Sequence, residues 1–341
     1  MKKILFALNL QLFADPNTNV TATGVYGTDS YAINPQLSVE MKTFYDMNLI
    51  DEAQPNLIHD QFGQKRPIPA NGGKKIEFRK FASLPKALTP LTEGVTPDGK
   101  KLSATNIEAE VAQYGDYIVH SDVLKLTSID NVIVEATKIL GNQAGLTLDT
   151  ITRNVLQSGT NVYYCPKANG TAVESRTALD DTCKLTVDVI KRAVAIMKKN
   201  NAPKINGDYV AIIHPFVAYD LMSDEAWIEA HKYATPENIY EGEIGKVAGV
   251  RFVESSEAKV YEGGVFGTLL IADGAYGITE ITGGGLQTII KQIGSSGVAD
   301  ALDQRGSIGW KAIKTAEILV EPYLMRIESK SALSGEITEA N

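Results

Sequence analysis

The residues of this 341-residue chain that could do chemistry do not stand in the spacings that chemistry needs. His59, His120, His214 and His231 are far apart, and none falls in an HExxH or paired-ligand spacing, so each is expected to be structural. In "YEGEIGKV", Gly245 and Lys246 suit a phosphate-binding loop, but Tyr240 stands where the first glycine belongs and Val247 where the hydroxyl belongs. The glycines at 283–285 lack the further glycine of a dinucleotide loop, and "IGSSG" does not meet the GxSxG nucleophile pattern. Asp180 with Asp181, and Asp51 with Glu52, are adjacent residues that read as solvated faces rather than an acid and base pair. Cys165 and Cys183 have no CxxC spacing and read as two free thiols. The expectation is therefore no catalytic residue, no metal site and no cofactor, with an enzyme of unrecognised type as an open alternative.

Charge is more informative. The chain holds 33 basic and 41 acidic residues, a net charge of -8, which argues against a protein held to nucleic-acid phosphates. Yet residues 65–101 carry nine Lys or Arg against Glu77, Glu93 and Asp98. A basic stretch inside an acidic chain suits docking on a like subunit, since complementary charge speeds encounter and fixes register. Lys74, Lys75, Arg79 and Lys80 are the candidate intersubunit contacts.

The elements that must position these charges follow from periodicity. Residues 15–40, rich in Asn, Thr, Ser, Gly and Pro, read as an extended arm, and Leu37, Met41, Phe44, Tyr45 and Leu49 then fall near helical spacing until Pro55. "KKIEFRKF" and "IEAEVAQYGDYIVH" predict a long hairpin around a turn-rich tip, with Ile76, Phe78 and Lys80 on one face and Lys75, Glu77 and Arg79 on the other. The middle of that hairpin has too few apolar residues for a core and must lie against something else.

Ile129, Val132, Ile133, Ala136, Ile139, Leu140, Ala144, Leu148, Ile151 and Val155 predict one long amphipathic helix. Thr127 with Asp130 resembles a capping box, Gly159 suits a left-handed position past the end, and Gly141 and Gly145 suggest close approach of another backbone or a bend. A second helix is expected over 186–200 with Val187, Ile190, Val194 and Met197 inward. "DYVAIIHPFVAYDLM" predicts a buried strand running into a helix that begins at Pro215. Further strands are expected at "VRFVE", "VFGTLLIAD", "YGITEI", "LQTIIKQI", "WKAIKTAEILV" and "LMRIES". No repeat or low-complexity tract interrupts them.

No stretch reaches the 18 or more apolar residues of a membrane span, so a soluble chain without a membrane partner is expected. The opening "MKKILFALNLQLFAD" imitates a signal peptide, but Asn9 and Gln11 break its apolar run and Leu12 makes a poor cleavage site. A secreted surface-binding protein stays open as an alternative on that feature. The Asn-x-Thr sequons at Asn19 and Asn169 are too short to decide it.

The opening "NLQLFA" resembles the start of many phage capsid proteins. The longer strings "QYGDYIVHSDVLKLTSIDNVIVEATKILGNQAGLTLDTITRNVL", "IIHPFVAYDLMSD", "EIGKVAGVRFVE" and "DQRGSIGWKAIKTAEIL" resemble the coat proteins grouped with those of N-four-like podophages, over about residues 1–330. The resemblance implies an α+β chain of the Hong Kong 97-type capsid fold. It implies an N-terminal arm at 1–64, an extended hairpin loop at 65–110, a discontinuous peripheral domain at 111–180 and 290–330 with a long spine helix, an axial domain at 181–289, and a C-terminal tail at 331–341. It further implies a major capsid protein that self-assembles as hexamers and pentamers in the host bacterial cytoplasm, which weighs against removal of residues 1–14. Its implied partners are itself, scaffolding, portal or decoration proteins, and enclosed double-stranded DNA bound without sequence specificity. Isopeptide cross-linking occurs in some relatives, but no residue pair here identifies it. A nanocompartment shell of the same fold is the nearest alternative.

Overall fold

The computed structural model describes residues 49–50, 52–53, 57–69, 73–81, 84, 86–90, 93–94, 96, 98–127, 132–231, 245–280, 284–295, 300–336 and 340–341. The arm at 15–40, most of the expected helix at 37–50, and Asp130 of the expected capping box lie outside them. In chain order the strands are β1 (Gln64–Lys65), β2 (Lys75–Phe81), β3 (Ala104–Glu110), β4 (Ala112–Ser121), β5 (Val162–Tyr164), β6 (Tyr209–Ile213), β7 (Lys246–Val247), β8 (Val250–Glu254), β9 (Val260–Tyr261), β10 (Val265–Ile271), β11 (Tyr276–Glu280), β12 (Gln287–Lys291), β13 (Arg305–Ile318) and β14 (Leu324–Ser329). The α-helices are α1 (Asp122–Thr127), α2 (Val132–Gln157), α3 (Val187–Lys199), α4 (Pro215–Met222) and α5 (Glu225–His231). Two compact units divide the chain: Met1–Asn56, Gln113–Gly145 and Leu286–Ala312 form one, and Leu57–Ala112, Leu146–Gly285 and Ile313–Asn341 the other.

In the first unit, β12 runs antiparallel to the start of β13, with Gln287 opposite Lys311 and Lys291 opposite Ser307, and β4 also pairs with β13. A side chain at Gly309 would meet Tyr117 Cβ at 2.6 Å and Asp116 O at 2.7 Å, so only glycine lets β4 lie this close. The first half of α2 buries Ala136, Leu140 and Ala144. Gly141 is the point of close backbone approach that the sequence suggests: a Cβ there would lie 2.8 Å from Leu49 O.

The second unit is built on a sheet ordered β5-β14-β10-β6-β8-β7, with β9 added to β10. Every residue of β6 and β10 is buried, as expected for apolar runs covered on both faces. On α3 the buried Val187, Val189, Ile190, Ala193, Val194 and Met197 recur at helical intervals, and Lys198 and Lys199 in its last turn favour the helix dipole. Pro215 takes the first position of α4, and Nδ1 of His214 accepts the Phe216 N–H at 3.1 Å as its N-cap. Here too β2 and β3 form an antiparallel hairpin, Lys75 opposite Glu110 through Phe81 opposite Ala104, but the expected second strand is divided: from Ala112 the chain continues as β4, which pairs with β13 instead of β2. Among the described side chains of β2, Phe78 is the deep anchor, 3% exposed, with its ring against Gly277 of β11.

Two local expectations need correction. Gly159 does not take the left-handed conformation. The helix instead tightens, with Ser158 N–H donating to Val155 O and Gly159 N–H to Leu156 O, which occupies the last carbonyls without a positive φ. The Thr127 hydroxyl donates to Val123 O at 2.7 Å inside α1, and the rest of the expected capping box lies outside the described residues. Ile139 is not inward: it is 63% exposed, because the buried stripe of α2 runs through Ala136, Leu140 and Ala144. Leu140→Ala is therefore expected to cost about 2–5 kcal/mol in chemical denaturation of the unassembled chain. Ile139→Ala should change stability by no more than about 0.5 kcal/mol.

Candidate assembly surface

The charged hairpin presents itself almost without cover. Every described residue between positions 84 and 106 is exposed, Leu84, Leu88 and Leu102 included. Lys74, Lys75 and Arg79 are exposed, and Lys80 is described by its backbone alone, opposite Thr105. Strand alternation puts Lys75 and Arg79 on one face, with Lys80 on the other. On the Lys75 face, however, Glu110 stands opposite Lys75 and Glu108 opposite Glu77, and Lys75 Nζ reaches Glu108 at 3.5 Å. That contact joins two well-exposed side chains and contributes little to stability. The strand pair is thus charge-mixed, and its unbalanced positive charge lies before β2, at Lys65, Arg66 and Lys74, and in the tip, at Lys86, Lys100 and Lys101.

A second exposed surface belongs to the first unit and was not legible as a surface in the sequence. Tyr117 and Val119 on β4, and Val123, Leu124 and Leu126 on α1, are all exposed, Leu126 to 83% and Tyr117 to 68%. Of the ten residues of β4, His120 alone is buried. Exposed apolar side chains so close along the chain make this segment a candidate interaction face.

A buried polar cluster in the second unit anchors the segment leading into β1. His59 is fully buried, its main-chain N–H donates to Asp149 Oδ1 at 2.7 Å, and its ring Nδ1 lies 2.6 Å from Asp149 Oδ2. The next residue, Asp60, accepts the Thr152 hydroxyl at 2.6 Å and pairs with the buried Lys314, which also donates to Leu148 O at 3.1 Å. Tyr276 donates its hydroxyl to His59 O, and burial pushes its phenol well above the usual tyrosine range. The cluster is buried, and apart from His59 Nε2, which has no hydrogen-bond partner among the described residues, the groups named here bond to one another and tie this segment to α2, Tyr276 and Lys314.

The remaining candidates take equally structural places. Lys246 pairs with Asp208 at 2.6 Å. Cys165 and Cys183 are buried and free, and burial pushes both thiols up, away from reactivity. Among the described residues no group of His, Cys, Asp and Glu could hold a metal ion, and no helix is long and apolar enough to cross a membrane.

A mixed α+β chain with an uncovered hairpin, a long helix and a large sheet has the architecture of a capsid shell subunit. The capsid of the cyanophage P-SCSP1u is similar at a TM-score of 0.63 and 14% identity, over 81% of this chain and 89% of that one. The capsid of Ralstonia phage GP4 is similar at 0.60 and 14%, over 82% and 89%. The capsid of cyanophage Pam1 is similar at 0.60 and 15%, over 76% and 86%. No curated protein matches the chain. The family model described as phage capsid protein matches residues 105–319, and the chain belongs to that family. It is a major capsid shell protein of the Hong Kong 97-type fold.

Proposed function

We propose that this subunit assembles in the host bacterial cytoplasm, as hexamers and pentamers, into a closed icosahedral shell that encloses double-stranded DNA without reading its sequence, and that it does so without catalysis. The observation that carries the reading is the hairpin, exposed at every described residue from 84 to 106, whose exposed leucines and unbalanced lysines have no core of their own. A two-stranded ribbon of this kind is marginal in water and gains its stability from a neighbour. Residues 1–64 act as an arm, 65–110 as the hairpin, and 111–180 with 290–330 and 181–289 as peripheral and axial domains. Scaffolding, portal and decoration proteins are further partners of the same shell. Light scattering and electron microscopy of purified protein should reveal closed particles of virus size, whereas a monomer that persists under every assembly condition would overturn the reading.

In this proposal Lys74, Lys75, Arg79 and Lys80 serve the intersubunit contact rather than the genome. Each surface pair contributes only about 0–1 kcal/mol, so the effect is collective and acts on encounter rate. Changing all four to Gln should leave the unassembled chain folded and slow assembly, and added salt should slow wild-type assembly in the same direction. Normal assembly combined with poor DNA retention would place the hairpin against the genome instead.

A further inference from the structure

Cys165 and Cys183 are separated in the sequence by residues 166–182, yet both meet the same edge of β14 and its extension at Lys330. Strand β5 runs parallel to β14 with Tyr164 opposite Glu328, and the Cys165 N–H donates to Glu328 O at 3.0 Å. The next step of that ladder would bring the Lys330 N–H to the Cys165 carbonyl. It goes instead to Cys183 O at 2.9 Å, and Lys184 pairs in parallel with Lys330. One stretch of chain thus leaves the edge where the other joins it. Register also settles the faces. Cys165 continues its ladder opposite Ser329, and Cys183, one residue before the partner of Lys330, falls opposite Ser329 too. Alternation then puts both side chains on the Ser329 face of the sheet.

Both cysteines are fully buried in the same apolar core, and they are near enough that a charge on Cys183 opposes a charge on Cys165. The segment that joins them is held to the sheet mainly by polar contacts. Lys167 pairs with Asp180 at 2.9 Å and Lys330 with Asp181 at 3.0 Å, and exposed pairs of this kind contribute little. The stronger tie is Arg176, which forms two bonds, at 2.7 and 2.6 Å, with the buried Glu328. Cys183 directly follows the exposed Asp181 and Thr182, and its S–H donates to Asp180 Oδ1 at 3.4 Å. A short opening at residues 180–183 therefore bares one thiol and leaves the other in place on β5.

We propose that Cys165 and Cys183 are a conditional disulfide pair, two thiols in a reducing compartment and a covalent bond beside the β14 edge in an oxidising one. The bond closes the loop 166–182 and fastens it to the sheet. With a small disulfide such as oxidised glutathione as the oxidant, the Cys183 thiolate attacks one sulfur and expels the first glutathione thiolate. The Cys165 thiolate then attacks Cys183 Sγ in the mixed disulfide and expels the second. The two cysteines are oxidised and the glutathione disulfide is reduced to two thiols, which receive the two protons that the cysteines lose. Burial of both thiols makes the exchange slow, so the pair stays reduced until an oxidant persists.

The test uses the full, unassembled chain, so its outcome is independent of shell formation. Folded protein is incubated with oxidised glutathione, trapped with a thiol-alkylating reagent under denaturing conditions, and read by intact mass and peptide mapping. The expected product is a single chain about 2 Da lighter that takes up no alkyl group, with the Cys165 and Cys183 peptides joined. Its unfolding equilibrium constant in urea should be about 100-fold smaller than that of the reduced chain, and a reductant should restore the reduced behaviour. Cys165→Ser should stop at the mixed disulfide on Cys183, and Cys183→Ser should give no internal bond. If either variant fails to fold, the mass and the urea midpoint of the wild-type chain decide the matter alone. Two thiols that both stay alkylatable after prolonged oxidation, glutathione adducts without the internal bond, or bonds between chains would each overturn the proposal. So would an oxidised chain less stable than the reduced one, since the bond would then strain the edge it is proposed to fasten.

Discussion

Asp149→Ala is expected to destabilise the unassembled chain by about 3–5 kcal/mol, a shift in denaturation midpoint that no surface substitution here should match. The carboxylate accepts both the main-chain N–H and the ring of His59, and both residues are fully buried. Removal leaves two polar groups without partners where water cannot replace them, and hydrogen bonds to a charged group contribute roughly 1.5–3 kcal/mol each. The damage should spread, because His59 O receives Tyr276 and the neighbouring Asp60 receives Thr152 and Lys314. Asp149→Asn should cost less, since its remaining oxygen can still accept the His59 main-chain N–H. Equal denaturation midpoints for the wild type and Asp149→Ala would mean that the segment entering β1 is held by other contacts.

That cluster also marks where reading the sequence stops. Apolar spacing located α2 well, and alternation in "KIEFRKF" correctly put Phe78 inward and Lys75, Glu77 and Arg79 outward. The run "YVAII" followed by Pro215 became a fully buried strand and a helix beginning at that proline. These signals are local, written within a few turns or residues of chain. Asp149, Thr152, Arg153 and Gln157 are buried on α2 as well, but a polar residue on a helix reads as solvated unless its partner is known. The partners are remote: His59 lies 90 residues from Asp149, and Lys314 lies 254 from Asp60. Periodicity carries no information about such pairs.

Charge counting was limited in a related way. The window 65–101 is strongly basic along the chain, but pairing β2 with β3 brings Glu108 and Glu110 across from its residues. Those two acids lie just outside the window, so sequence distance separated what the ladder joins. The candidate residues Lys74, Lys75, Arg79 and Lys80 were nameable from the sequence, but the acids facing them were not. Ile139 illustrates the opposite failure, since an apolar residue at helical spacing can serve a face that the chain by itself leaves open.

The double variant Val123→Asp with Leu126→Asp should fold like the wild type and fail to form shells at concentrations where the wild type assembles. Both side chains belong to the exposed apolar face of β4 and α1, and neither is packed in the chain by itself, at 61% and 83% exposure. Folding stability should therefore move by no more than about 0.5 kcal/mol per site. Assembly is different, because covering a Val or Leu side chain at an interface contributes roughly 1.5–3 kcal/mol, and a carboxylate put in its place is desolvated without a partner. Even about 3 kcal/mol per subunit raises the concentration needed for association more than 100-fold. The loss recurs at every copy in a closed shell, so few subunits should enter particles at all. Sedimentation of the folded variant, compared with wild type over a concentration series, separates the outcomes. Shells forming at the wild-type concentration would mean that this face stays open in the particle. A folded state weakened by several kcal/mol before any association would mean that the face is covered by another part of its own chain.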